Sequence, residues 1–411
     1  MRAVVVGAGL GGLCAAHGLR QAGADVEVLE AQDKISDSGQ GYRINVNAAG
    51  HDALRACLAT EHFRAYERTL HRQCDPAVYR YSPAPRLLSR DVVPMAPGAI
   101  DRGTLRRVLA DGLDGRIRFG CKVTWVDQAG TADLIVAADG TGSALRRELL
   151  PQAGPRPLGL SAIFGRSPLT SANRGWTAPV LLNSRFCGLL DDSFVLALGG
   201  YDPLGTTTSG TAAAAGTASA GFAAAPYLMW VLLGPAGQLP GYGTAAGELV
   251  RFAQDRTASW DPRATWVLRE ATAADSFLVC LRAVTQLPVI PDRAGVPLAF
   301  LGDSIHAMSP AGGEGANTAF SDAALLISQL RAHLSPQRPR LSRLLTQRGI
   351  AAAVARYHGE MRSTAGAALN RSANYPTKEL PHVADTNPQH QPAPDARGPY
   401  RAEAAQHARE Y

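Results

Sequence analysis

Apolar and polar positions along this chain switch between two periods. Ala3 to Val6 is an uninterrupted apolar run, Gly7-Ala8-Gly9-Leu10-Gly11-Gly12 follows at once, and apolar residues then recur at Leu13, Ala16 and Leu19. Gly23 is placed to end that helical stretch, after which Val26 and Val28 alternate with polar residues up to Glu30. The pattern predicts a buried strand, a tight glycine turn, a helix and a second strand, the opening of a doubly wound α/β fold. Further on, 41–47 alternates like a strand and Ala49 to Leu58 has helical spacing. Asp101 is placed to cap a helix carrying Leu105, Val108 and Leu109, with Arg102 in its first turn. Asp133 to Ala138 reads as a buried parallel strand ending in Asp139-Gly140, before a helix capped by Ser143. Leu298 to Leu301 is another short apolar strand, closed by Gly302-Asp303, and a glycine-rich loop from Pro310 to Asn317 leads into a helix over about 318–330.

Between these segments, Phe194 to Leu198, Tyr227 to Leu233 and Ser276 to Leu281 read as strands of a mostly antiparallel sheet. Phe194, Met229 and Trp230 are candidates for lining a pocket, with ordinary core packing as the alternative for each. Residues 205–225, rich in Ala, Gly, Thr and Ser, read as a surface loop, a helix is expected over about 341–369, and 375–411 as a solvated tail.

The first glycine cluster carries the sharpest chemistry. GxGxxG after a strand and before a helix, with an acid about 20 residues later, is a dinucleotide fingerprint. Gly7 permits the turn, Gly9 removes a β-carbon from the path of a pyrophosphate, and Gly12 lets helix and strand approach. Backbone N–H groups and the helix dipole would hold the anion, and the Glu30 carboxylate would accept from an adenosine ribose. Asp139 and Asp303 both close strands, where ligands gather in such sheets. Asp303 suits sugar-alcohol hydroxyls, and the glycines at 312, 313 and 315 would let a flat ring lie on bare backbone. Arg43 is placed to approach a ring or a substrate, or else is simply an exposed arginine. His306 is a candidate base, but with no neighbour in sequence to orient it a structural role fits better.

Composition narrows the classes. A chain of 411 residues, 46% hydrophobic and 18% charged, can bury a large core in two domains. No apolar run reaches the ~18 residues of a membrane span. The six cysteines form no CxxC pair and no histidine stands at metal-ligand spacing, which suggests reduced thiols in a cytoplasmic protein without a metal site. A net charge of +6, with arginines at 331, 338, 340, 343 and 348 and no interleaved aromatics, argues against nucleic-acid binding.

The three motifs, Gly7 to Gly12, Asp139-Gly140 and Gly302-Asp303, occur in the order found in the class A flavoprotein monooxygenases, and the chain resembles that aromatic hydroxylase family over about 1–150 and 286–370. The resemblance implies an α/β Rossmann-like FAD-binding domain (1–72, 101–157 and 286–340), a β substrate domain (73–100 and 158–285) and a C-terminal helical region (341–374). It implies that FAD is held by Gly7, Gly9, Leu10, Gly12, Glu30, Arg43, Arg102, Asp139, Gly302, Asp303, Pro310, Gly313, Gly315, Ala316 and Asn317. NADPH or NADH would reduce the flavin, O₂ would form a flavin hydroperoxide, and an aromatic or polycyclic molecule would be oxygenated, in a setting such as secondary metabolism. A flavin-dependent halogenase or oxidase is an alternative, although no WxWxIP segment is present, and a non-catalytic FAD-binding protein is another. Three departures from the family stand out: Ser304-Ile305 where two alanines are common, Glu314 where glutamine is common, and Ala137 where glycine is usual.

Overall fold

The structure, a computed structural model, describes residues 1–35, 42–126, 131–175, 177–203, 224–291, 295–334 and 343–379. The surface loop expected at 205–225 lies almost entirely outside the described residues, as do 380–411. The strands are β1 (Arg2–Val6), β2 (Asp25–Leu29), β3 (Arg43–Val46), β4 (Asp75–Tyr81), β5 (Leu87–Val92), β6 (Gly98–Asp101), β7 (Ile117–Arg118), β8 (Leu134–Ala137), β9 (Arg156–Pro168), β10 (Ser184–Leu190), β11 (Val195–Tyr201), β12 (Tyr227–Pro235), β13 (Phe277–Ala283) and β14 (Leu298–Phe300). The helices are α1 (Leu10–Gln21), α2 (Ala48–Cys57), α3 (Thr60–Arg68), α4 (Arg102–Ala110), α5 (Ala144–Leu149), α6 (Ser171–Arg174), α7 (Pro179–Asn183), α8 (Ala246–Arg256), α9 (Pro262–Arg269), α10 (Asp303–His306), α11 (Gly315–Leu334) and α12 (Arg343–Glu379). No helix among the described residues is long and apolar enough to cross a membrane.

Five parallel strands form the first sheet, in the order β14-β8-β1-β2-β7. Their continuous apolar runs are those of a sheet covered on both faces, and Ala3 to Val6 and Leu134 to Ala137 are buried among α1, α11 and α12. All ligand-facing turns (β1–α1, β8–α5, β14–α10) therefore leave the same edge of this sheet.

Seven strands form the second sheet, β13-β9-β12-β11-β10-β4-β5, antiparallel except where β10 pairs with β4. Its two faces separate by residue parity. Leu228, Trp230 and Leu232 pack with Phe194 against Leu249, Val250 and Trp266 of α8 and α9, whereas Tyr227, Met229 and Val231 pack against Tyr42 on the opposite side. Of the three pocket candidates, Phe194 and Trp230 thus belong to the helix-covered core, and only Met229 lies on the opposite face, with Tyr42. The helices α8 and α9 correct the expectation of plain β character in this region: Asp261 caps α9 through Arg263 N, and Pro262 fixes its first turn.

A two-stranded ribbon, β3 with β6, joins the halves. The C-terminal helix extends ten residues beyond the expected end near 369, taking in the first five positions expected as tail. Its last turns are held by tertiary contacts: Ser372 donates to the Ser309 carbonyl at 2.6 Å, and Arg371 reaches Glu314. Such contacts outweigh the weak local propensity of 370–374.

Candidate cofactor and substrate site

The β1–α1 turn is built as the glycines require. Gly7 has φ +105°, and a β-carbon there would meet the Ala138 backbone, while one on Gly12 would collide with the Gly7 carbonyl oxygen and lie 3.1 Å from Ala138 Cβ. At Gly9 nothing stands within 4 Å of that position, so this residue faces open space at the N-terminus of α1. Leu10, the first residue of the helix, is buried beneath the turn.

Glu30, at the end of β2, accepts from Ala8 N at 2.7 Å and Gln32 N at 2.9 Å, with Arg106 Nη2 at 3.4 Å. Oε2 takes both Ala8 N and Arg106 Nη2, so Oε1, with Gln32 N alone, keeps lone-pair capacity for a ribose hydroxyl. Arg106, which motif reading passes over, also donates through Nε to the Ala8 carbonyl and through Nη1 to Gln32 Oε1. Its signal was available: it stands one helical turn after Arg102, on the same face of α4.

The α4 cap is as expected, Asp101 accepting from Thr104 N at 2.7 Å and also from the Tyr227 hydroxyl at 2.9 Å. Arg102 follows in the first turn, and burial, reinforced by the Arg106 charge, pulls its pKa down to about 10 against Asp303 and Asp101. Asp303 opens α10 after Gly302, whose φ is +63°. Its carboxylate touches solvent yet is enclosed by protein on most sides, as in a crevice; burial raises its pKa, opposed by His306, Arg102, Thr141 and Arg146. Thr141 Oγ1 lies 3.5 Å from Asp303 Oδ2. Asp139 Oδ2 caps α5 by accepting from Ala144 N at 2.8 Å, leaving Oδ1 buried without a hydrogen-bond partner. Arg146 pins the crevice floor by donating to the Ser304 and Thr141 carbonyls, both at 2.8 Å.

The loop from Pro310 to Asn317 forms the far wall. Gly313 has φ +64° with nothing near its missing β-carbon, and a β-carbon on Gly315 would lie 3.9 Å from Asp303 Oδ1. Ala316, partly buried, is the second residue of α11. Asn317 fixes the loop to β3, donating to the Asn45 carbonyl at 2.9 Å and the Gly313 carbonyl at 3.0 Å, and accepting from Asn47 N at 3.0 Å.

Two candidates fall elsewhere. Arg43 extends toward the seven-stranded sheet, donating to the Arg185 carbonyl at 3.0 Å. His306 is fully buried and binds Asp322 of α11, Nε2 to Oδ2, at 2.5 Å; the orienting group absent from its local sequence comes sixteen residues later. Burial alone would depress its pKa, but the Asp322 carboxylate more than offsets this and raises it. Asp322 Oδ2 also accepts from Gly302 N at 3.0 Å, so the pair braces the Asp303 turn.

These residues fit FAD. Open glycine faces at 9, 140 and 313 leave room for a backbone-hugging chain of phosphates and ring, Glu30 and Asp303 offer acceptors to ribose and ribityl hydroxyls, and Arg102 supplies a cation between them. A parallel sheet bearing this crevice at its carboxyl edge, joined to a large antiparallel sheet, is the architecture of an FAD-binding flavoprotein.

Comparison with known proteins agrees. Residues 5–69 match an NAD(P)-binding Rossmann-like domain and 291–360 an FAD binding domain. The dual O-methyltransferase/FAD-dependent monooxygenase elcB of Phaeosphaeria nodorum is 27% identical over 377 residues, covering 79% of this chain and 39% of the relative. The chain spans about two-fifths of the length of such dual-function relatives. A Photorhabdus luminescens structure assigned as an FAD-containing monooxygenase superposes with TM-score 0.75 at 25% identity, covering 93% of this chain and 99% of that one. Klebsiella pneumoniae HpxO, solved with FAD and uric acid, shares the fold at TM-score 0.68 and 19% identity, over 94% and 91% of the two chains. The likeness to the class A FAD-dependent aromatic monooxygenases, legible in the motifs, thus extends over the whole fold, and FAD is the cofactor.

Proposed function

We propose that the protein is an FAD-dependent monooxygenase that draws electrons from NADPH or NADH and inserts one atom of O₂ into an aromatic or polycyclic small molecule. The observation that carries this reading is the course of β3. At one end its Asn45 carbonyl is held by Asn317 of the cofactor loop, and at the other Arg43 reaches the inner face of the seven-stranded sheet. On that face Phe164, Phe186, Ala197 and Phe277 stay partly exposed, giving a flat apolar wall next to the crevice.

FAD, when bound, supplies the redox chemistry and the activation of O₂. The residues named above bind and orient. Arg102, Glu30 and Asp303 would grip the cofactor, the N-terminus of α11 presents positive backbone dipoles, and the aromatic wall positions a planar substrate and excludes water. We assign the five-stranded sheet and its helices to the cofactor domain and the seven-stranded sheet to the substrate domain. The test is to supply the FAD-loaded protein with NADPH, ¹⁸O₂ and a panel of ring compounds and to weigh the products. Label in a product supports the reading, and NADPH consumption that yields only hydrogen peroxide for every compound refutes it.

A further inference from the structure

A groove of about 660 Å³ runs along the outer edge of the five-stranded sheet, between β14, α12 and the end of α5, and none of the residues assigned to FAD lines it. Leu149, Leu150, Val289 and Ile290 give it apolar walls. From α12 it is lined by Ala351, Ala355 and Gly359, small residues that leave the helix surface low, and a β-carbon on Gly359 would meet nothing within 4 Å. The lining positions of this helix run from Ala351 to Arg362, about 16 Å at 1.5 Å per residue.

The polar groups of this groove are those the edge strand leaves over. Pro297 and Leu301 bond inward to β8, the first accepting from Ile135 N and the second donating to the Ala137 carbonyl, each at 2.9 Å. By strand parity Leu298 and Phe300 turn their N–H and C=O groups outward. Helix α12 closes the pair on Phe300, whose N–H donates to His358 Nε2 at 3.2 Å and whose carbonyl accepts from the Tyr357 hydroxyl at 2.7 Å. The pair on Leu298, which lines the groove, has no such partner among the described residues. Because a backbone N–H can only donate, His358 Nε2 carries the lone pair and the proton of the neutral ring sits on Nδ1. Burial lowers the His358 pKa to about 4, so the ring is neutral at physiological pH. The residue is only 8% exposed, its Nδ1–H has no acceptor among the described residues, and the ring lines the groove. Arg362, one turn further along the same face, is exposed and makes no ion pair among the described residues.

We propose that this groove is a binding site for a medium-chain fatty carboxylate. The carboxylate accepts from His358 Nδ1–H and faces the Arg362 guanidinium, while the alkyl chain lies along the small-residue face of α12 toward Ala351, about 10 Å away. A buried neutral donor, fixed in its tautomer by the strand beneath it, gains more from an ionised acceptor than from a neutral one. A long apolar channel with its charge at one end matches a chain with one terminal anion better than a compact ring. The site lies apart from the proposed substrate pocket and stands whatever that pocket oxidises.

The test uses the FAD-loaded protein at neutral pH, with octanoate and octan-1-ol as probes in isothermal titration calorimetry. Octanoate should bind saturably, one per chain, and octan-1-ol at least about tenfold more weakly, because it forfeits the charge-assisted bond. Arg362→Gln, at an exposed position, should weaken octanoate about three- to fivefold and leave octan-1-ol unchanged. Gly359→Leu directs a side chain into the open groove and should abolish binding of both probes. Its flavin content should stay at the wild-type value and its melting temperature should not fall, since leucine is the better helix former. The proposal is overturned if octanoate fails to saturate the wild type, if octan-1-ol binds as tightly, if Arg362→Gln binds octanoate like the wild type, or if octanoate binding survives Gly359→Leu. The last result would place the fatty acid elsewhere on the protein.

Discussion

Gly9→Ala separates folding from cofactor binding in one residue. Gly9 has φ −75° and ψ 176°, a conformation alanine adopts freely, and no atom lies within 4 Å of the added methyl. Two small effects then compete in the cofactor-free protein. Losing glycine's unfolded-state freedom stabilises by about 0.4–1 kcal/mol, while exchanging glycine for alanine at a helix N-cap costs up to ~1 kcal/mol. The net change should lie within about 1 kcal/mol of zero. In the loaded protein the methyl occupies the path of the pyrophosphate and holds it off the N–H groups of the turn. Saturating FAD at a hundred times its Kd stabilises a protein by about 2.7 kcal/mol, and Gly9→Ala should forfeit most of that gain. Gly12→Ala is the contrast, because its methyl meets the rigid Gly7 carbonyl and should cost about 1–3 kcal/mol with or without cofactor. Thermal melts of both variants, with and without FAD, together with the flavin content per chain, measure all of this. If Gly9→Ala retained FAD at wild-type affinity, the pyrophosphate could not pass over Gly9, and the assignment of the turn would be refuted.

Other outcomes follow from the same geometry. Arg102→Ala and Asp303→Ala should each purify with depleted flavin, read as the ratio of flavin to protein absorbance; full occupancy in both would contradict their placement beside the cofactor. Asp322→Ala should destabilise the fold by about 3–5 kcal/mol, the range for opening a buried ion pair. The His306 pKa is raised above its ordinary 6.5, so the stabilisation from this pair is complete below pH 6.5 and fades as pH rises through the folded value. The stability gap between wild type and His306→Gln should accordingly narrow from acid to alkaline pH in denaturant titrations. Arg371→Glu sets two acids together at the cofactor loop, but the pair is half exposed and worth less than about 1 kcal/mol. FAD affinity should fall by roughly two- to fivefold and recover in the double variant with Glu314→Arg.

Short-range rules made much of the site legible. Asp101 and Ser143 cap their helices as expected, the latter accepting from Arg146 N at 3.0 Å, because capping is settled within four residues. The glycine turn was readable because Gly7, with its positive φ, and Gly12, against the Gly7 carbonyl, answer steric demands of the turn itself. What escaped was whatever depends on distant partners. Arg106 gains its role by meeting Glu30, and His306 by meeting Asp322, neither of which spacing alone reveals. The parity of Met229 and Trp230 was visible, but which side the helices cover depends on where α8 and α9 lie, and those helices sit in a stretch whose apolar runs read as strands. The length of α12 was likewise set by Ser309 and Glu314, far back in the chain.

The edge strand β14 has a consequence for biosynthesis. Four strands of its sheet have left the ribosome once residue 137 has emerged, whereas β14, Asp303 and the far wall are encoded about 160 residues later. At translation speeds of ~5–20 residues per second, that gap lasts about 10–30 s. Throughout that interval the nascent chain displays a half-built cleft with an apolar flank awaiting its last neighbour. Loading of the prosthetic group must therefore trail synthesis, and a shortage of riboflavin in the cell would leave its mark on finished chains rather than on growing ones.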